Sequence, residues 1–272
     1  MVRVISIVNQ KGGVGKTTTA VNLAAGFSHL SKKTLLIDVD SQGNATSGLG
    51  IAKKELEKTI YDSLVDGMLL EEVLVPSVME NLLVAPSNSD LLSAEMFLGE
   101  NEQGKTRLKT ILADYLWKTE PEKRPDYIVI DCPPSLGQLT LNALLASDSV
   151  LIPVQCEYYA LEGLTEILTS TTMLRQRFNP YLSLEGILLT MADRRLNLSR
   201  QVEDDIRGAY GNYVFDNVVQ RNVRLSEAPS HGLPIIMYDP TSKGAESYVG
   251  LAKEIFENEE KSPRTWPLRP VV

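Results

Sequence analysis

Asn9-Gln10-Lys11-Gly12-Gly13-Val14-Gly15-Lys16-Thr17-Thr18-Thr19 stands between the apolar run Val4-Ile5-Ser6-Ile7-Val8 and the helix-forming segment Ala20-Val21-Asn22-Leu23-Ala24-Ala25. The order is a strand, a phosphate-binding loop and a helix, and it predicts a nucleotide site. Glycines at 12, 13 and 15 let the backbone turn tightly around Val14, so that successive N–H groups face phosphate oxygens and the following helix adds its positive end. The strict phosphate-loop pattern asks for glycine at position 10, where this chain has glutamine, but the loop carries an additional lysine, Lys11.

Outward from the loop, short runs of Val, Ile and Leu recur at Thr34–Asp38, Leu82–Ala85, Tyr127–Asp131, Ser149–Val154 and Leu184–Leu189, with helical patterns between them. This alternation predicts an α/β fold, a doubly wound and mostly parallel sheet with helices on both faces. Near-continuous apolar strands such as Tyr127-Ile128-Val129-Ile130 suit a sheet buried on both sides. Residues 1–257 read as one domain. The stretch 258–272, with Pro263 and Pro267, is expected to leave the helical pattern as a mobile tail.

Composition narrows the function classes. Thirty-five acidic against 27 basic side chains give a net charge of −8, which excludes a uniformly basic nucleic-acid binder and requires any DNA contact to be a local patch. Two cysteines, Cys132 and Cys156, are too few for a disulfide framework, and the chain opens directly on a core strand, so a reducing cytosol is expected. The longest apolar candidate, 143–154, is broken by Asp148 and Pro153, so no membrane-spanning helix is predicted.

In a doubly wound sheet ligands bind at the carboxyl ends of the strands, where Asn9, Asp38, Asp40 and Asp131 all fall. Lys16 is placed against the β- and γ-phosphates of ATP, Thr17 to ligate Mg²⁺, and Thr18 as a further phosphate contact. Asp131 occupies the strand end where a phosphate-loop protein needs a carboxylate to hold Mg²⁺ through water. Of the two acids in Asp38-Val39-Asp40, spacing assigns Asp40 to orienting the attacking water and Asp38 to the metal shell. An ordinary Asp is too acidic to be a strong base at neutral pH, so orientation is the better role.

The loop 9–19, the run Asp38-Val39-Asp40-Ser41-Gln42-Gly43-Asn44-Ala45-Thr46 and Asp131-Cys132-Pro133-Pro134-Ser135 together resemble the ParA family of partition ATPases. Pro153–Gly163 and Arg221–Gly232 agree, and the closest likeness is to the short chromosomal subgroup called Soj, whose phosphate loop is of the deviant Walker A type. The resemblance implies a homodimer that sandwiches ATP, with Lys11 reaching the nucleotide of the partner subunit. It also implies slow ATP hydrolysis stimulated by a ParB-type centromere-binding protein, and an adenine pocket involving Asn222, Glu227 and Pro229. Non-specific binding of double-stranded DNA through Arg195 and Arg224 is implied as well, in a protein that is cytoplasmic and nucleoid-associated.

Two residues depart from the family pattern, Ser41 and Gln220, where many relatives carry proline. The competing resemblance is to MinD, a membrane-associated division-site ATPase with the same kind of loop. It ends in a basic amphipathic helix, whereas this chain carries Glu257, Glu259 and Glu260 there, with no membrane binding expected. An iron–sulfur ATPase that bridges a cluster between subunits through two cysteines is the redox alternative.

Overall fold

The computed structural model describes residues 2–100 and 102–261. Seven strands, β1 (Arg3–Ile7), β2 (Thr34–Asp38), β3 (Val75–Pro76), β4 (Leu82–Ala85), β5 (Tyr127–Asp131), β6 (Ser149–Gln155) and β7 (Ser183–Thr190), form one sheet. Their order is β3-β4-β2-β5-β1-β6-β7. Every pairing is parallel except β3 with β4. The expected architecture is borne out, and β3 is the strand that was not anticipated.

Alternation explains why the strands read as continuous apolar runs. Val4, Leu35, Ile37, Ile128 and Ile130 enter one core, while Ile5, Ile7, Leu36 and Val129 enter the core on the opposite face. Each face is covered by helices, so both sets of side chains leave water. The second core is built largely by helix α1 (Lys16–His29), which follows the phosphate loop, and by the C-terminal helix Lys243–Lys261. Phe27 of α1 stacks flat on Tyr127, ring centroids 3.8 Å apart.

Gly26 lets these two helices meet. A Cβ there would lie 3.0 Å from the Tyr248 carbonyl oxygen and 3.1 Å from the Ala252 Cβ. Gly26→Ala is therefore expected to destabilise the protein by about 1 kcal/mol net, because overpacking against a fixed backbone outweighs the gain in helix propensity. Urea unfolding of the two proteins checks this, a raised midpoint being the contrary result.

The C-terminal helix runs past the boundary expected at residue 257. Glu259 accepts a hydrogen bond from the Tyr127 hydroxyl at 3.0 Å and pairs with Arg3 at 3.3 Å. Arg3 in turn donates through Nε to Glu185 at 3.0 Å. This network pins the helix end beneath the sheet, opposite the carboxyl ends of the strands. The rest of the expected tail, 262–272, lies outside the described residues. Among the described residues no helix is long and apolar enough to cross a membrane.

Candidate nucleotide site

The phosphate loop is held by three strand ends. Asn9 donates to the Pro153 carbonyl on β6 at 2.7 Å and accepts from the Lys11 amide at 3.0 Å, while Thr190 at the end of β7 donates to the Val14 carbonyl at 2.9 Å. Gly13 and Gly15 take φ of 76° and 89°, the left-handed region that favours glycine. Helix α1 starts at Gly15 with no side-chain cap, which leaves its N-terminal amides for an anion.

The two lysines are differently placed. Lys16 is only 7% exposed, and its Nζ donates to the Lys11 carbonyl at 3.0 Å. Burial lowers its pKa, while the charges of Asp131 and Asp40 oppose that change. The Lys11 side chain is 43% exposed, its Nζ 3.4 Å from Glu157.

The three aspartates gather beside them. Asp131 is fully buried, and among the described residues neither carboxylate oxygen has a hydrogen-bond partner. Burial, reinforced by Asp38, raises its pKa well above the ordinary range, with the nearby Thr17 hydroxyl and Lys16 acting against this. A buried carboxylate left without partners next to a threonine hydroxyl is a fitting place for a hydrated Mg²⁺.

Asp38, expected in the metal shell, has both carboxylate oxygens engaged within the protein. Its Oδ2 accepts from the Thr46 amide at 2.8 Å and hydroxyl at 2.7 Å, and its Oδ1 from the Asp40 amide at 3.2 Å. It holds the loop 39–46 in shape. Asp40 accepts from the Gln42 amide through Oδ1, and its backbone carbonyl is held by the Ser87 hydroxyl at 2.8 Å.

Beside the loop a cavity of about 390 Å³ is lined by Gly15, Thr18, Asn222 and Pro229, joined by Met191, Gln220 and Tyr248. Its apolar walls and proximity to the phosphate loop suit a nucleotide base. Glu227 is not part of its lining: it is drawn instead to Arg224 at 2.9 Å and to the Tyr238 hydroxyl at 3.2 Å. Met191 and Tyr248 had no local signal, since only the end of β7 and the C-terminal helix bring them here. Gln220 was marked only as a departure from the family pattern.

The bridge Ala192–Gln220 sets the segment carrying Arg195 beside the one carrying Arg221 and Arg224, at the same end of the sheet as the phosphate loop. Arg195 is exposed and paired with Asp193, whose carboxyl its hydrogen bonds hold down at about 2. Arg224 pairs with Glu227 and, at 3.6 Å, with Asp239. Cys132 and Cys156 are both buried, and burial raises both thiol pKa values, Cys156 to about 11.

A family model described as an AAA domain (AAA_31) matches residues 2–184. The sporulation initiation inhibitor protein Soj of Bacillus subtilis is 51% identical over 258 residues, covering 95% of this chain and 100% of that protein. The chromosome partitioning protein ParA of Myxococcus xanthus is 51% identical over 267 residues, covering 96% of this chain and 91% of that one. A crystal structure of cobyrinic acid a,c-diamide synthase from Mycobacterium smegmatis with bound ADP and magnesium superposes with a TM-score of 0.82 at 32% identity, covering 98% of this chain and 100% of that one. A phosphate loop with a second lysine, aspartates gathered at neighbouring strand ends and half of the residues shared along nearly the full length agree on one assignment: the chain belongs to the ParA/Soj family of chromosome-partitioning ATPases.

Proposed function

We propose that this ATP hydrolase is a dimerising switch, which binds DNA without sequence preference while it holds ATP and lets go after hydrolysis, driving chromosome or plasmid partition with a ParB-type partner. The observation that carries this reading is the division of labour between the lysines: Lys16 is buried within its own loop, whereas Lys11 stands exposed at the rim, held by one long ion pair. A cation so placed is available to a second subunit.

ATP supplies the scissile phosphoanhydride and Mg²⁺ the charge that neutralises its oxygens. Thr17 and Asp131 would hold the ion, the first directly and the second through water. Lys16, whose Nζ now donates to the Lys11 carbonyl, would donate to phosphate oxygens. Asp40 orients water rather than acting as a strong base, and Asp38 fixes the loop that positions it. Asn222 and Pro229 would face the base, and Thr18, which lines the same cavity, would serve as a further phosphate contact. Glu227 would have to leave Arg224 to join them.

Arg195 and Arg224 would serve as phosphate contacts, cytoplasmic nucleoid DNA being the ligand. Each is paired with carboxylates, so single subunits would bind weakly and a dimer would double the footprint. The Arg195→Ala, Arg224→Ala double variant is expected to lose DNA retention while keeping nucleotide binding, with the salt slope of any residual binding reduced by about one per lost phosphate contact. DNA binding with ATP, ADP and no nucleotide across a salt series, with dimer mass followed in parallel, tests the whole reading. Wild-type affinity in the double variant, or equal DNA binding in all three nucleotide states, would overturn it.

A further inference from the structure

Among the described residues that line the cavity beside the phosphate loop, two carry carboxamides, Asn222 and Gln220. Asn222 is already oriented: its Oδ1 accepts from the Arg224 amide at 2.9 Å and caps the short helix that begins there. Its Nδ2 is left to the cavity as a donor only. Gln220, where the chain departs from the family pattern, is half-buried in the same lining, and among the described residues its carboxamide holds no hydrogen bond.

The backbone that carries Gln220 is tied to the strand that also steadies the loop. The Val219 amide donates to the Leu189 carbonyl at 2.9 Å, the Ala192 amide to the Val219 carbonyl at 3.2 Å, and the Arg221 amide to the Ala192 carbonyl at 3.0 Å. On the same strand, β7, Thr190 holds the Val14 carbonyl of the phosphate loop. A side chain on this segment is therefore kept in register with the phosphates, which is what the reading of a base at a fixed distance from them requires.

Adenine carries an amino group at position 6, a donor, beside ring nitrogens that only accept. The donor on Asn222 suits a ring nitrogen but offers the amino group nothing. A glutamine carboxamide supplies the acceptor through Oε1, and its Nε2 can serve an adjacent ring nitrogen, the two-point pairing this side chain makes with adenine. Turned over about its last bond, the same group presents Nε2 to the 6-oxo oxygen of guanine.

We infer that Gln220 reads the group at position 6 of the purine and so sets the nucleotide preference of this ATPase. This rests on the reading of the cavity as the base pocket.

Affinities are measured with Mg²⁺ by displacement of an ATP labelled on its ribose with a fluorophore. The probes are ATP, GTP and purine riboside triphosphate, which has hydrogen in place of the 6-amino group. The wild type is expected to prefer ATP to purine riboside triphosphate about tenfold, and Gln220→Leu to bind the two equally, at the wild-type affinity for purine riboside triphosphate. Gln220→Glu keeps an acceptor and is expected to keep the preference for ATP, while its affinity for GTP, which needs a donor, falls about tenfold. A preference for ATP that survives in Gln220→Leu overturns the inference, and so does a Gln220→Glu protein that binds GTP as the wild type does.

Met191→Asp separates this outcome from a failure of the pocket reading. Met191 lines the cavity with a φ of 50°, a conformation that aspartate tolerates, so the variant sets a charge in the wall without straining the backbone. It is expected to weaken ATP about tenfold. Unchanged ATP affinity in Met191→Asp would mean that the base lies elsewhere and would remove the pocket reading together with the role of Gln220. Weakened ATP there, with a wild-type preference in Gln220→Leu, would refute the role of Gln220 alone.

Discussion

The Lys11→Ala variant is expected to bind ATP yet stay monomeric, and to hydrolyse it about a thousandfold more slowly than the wild type, the scale of a cation supplied in trans to a transferring phosphoryl group. The loop itself should survive the change. Its shape at this point is set by the Asn9 side chain bonded to the Lys11 amide and by Thr190 bonded to the Val14 carbonyl, none of which uses the Lys11 side chain. Lys16 and the N-terminal amides of α1 remain to hold the phosphates.

What is lost is the exposed ammonium. Its resting partner is Glu157, with both side chains close to half exposed. A pair of this kind contributes at most about 1 kcal/mol, so the lysine is easily released toward a second nucleotide. Light scattering with and without ATP, together with single-turnover phosphate release, checks both halves. A dimer fraction and a hydrolysis rate both equal to the wild type would sink the role assigned to Lys11. A normal dimer with slow hydrolysis would confine that role to charge stabilisation.

Six strands were legible because each carries a mostly apolar run, buried on both faces in β2, β5 and β6, with Leu83 of β4 left exposed. β3 was not, since two residues including Pro76 at an antiparallel edge carry no period. The phosphate loop was legible for a different reason. Its function depends on backbone conformation at fixed offsets, and glycine and lysine record that locally. The base pocket depends on segments brought together by the sheet, so Met191 and Tyr248 gave no sign of their place.

Electrostatics account for the other differences. Asp38 and Asp40 are two residues apart at a strand end, and spacing alone cannot say which faces open space. The Thr46 amide and hydroxyl converge on the Oδ2 of Asp38. Glu227 matches a family position for base contact, yet the nearest cation, Arg224, is three residues away on the same short helix and takes it. Residues from 258 were expected to leave the helix because of Pro263 and Pro267, but the helix continues to Lys261, with Glu259 meeting Arg3 and Tyr127.

Asp131→Asn is expected to make the nucleotide-free protein more stable and the enzyme on the order of a hundredfold slower, with a weaker response to Mg²⁺. Both effects come from one feature, a buried carboxylate whose oxygens have no hydrogen-bond partner among the described residues. Its pKa is raised by burial first and by Asp38 second. For an acid whose folded pKa lies above its unfolded one, the folded state holds the proton longer, so stability falls as pH rises from the ordinary carboxylate range toward the folded pKa. Asparagine removes that slope.

The gain from Asp131→Asn should therefore be near zero at acid pH and about 1–3 kcal/mol near neutrality. Asp38, pushed up to about 6 mainly by burial, keeps a residual slope in both proteins. Lys16 loses one of the charges that support it, but Asp40 and the Lys11 carbonyl remain. Addition of ATP with Mg²⁺ should reverse the order of stability, because only the wild-type carboxylate is then matched by a cation. Melting curves across pH, with and without Mg²⁺ and nucleotide, display the crossing. A variant less stable at every pH, with the wild-type dependence on Mg²⁺, would mean that Asp131 supports the fold and does not hold the metal.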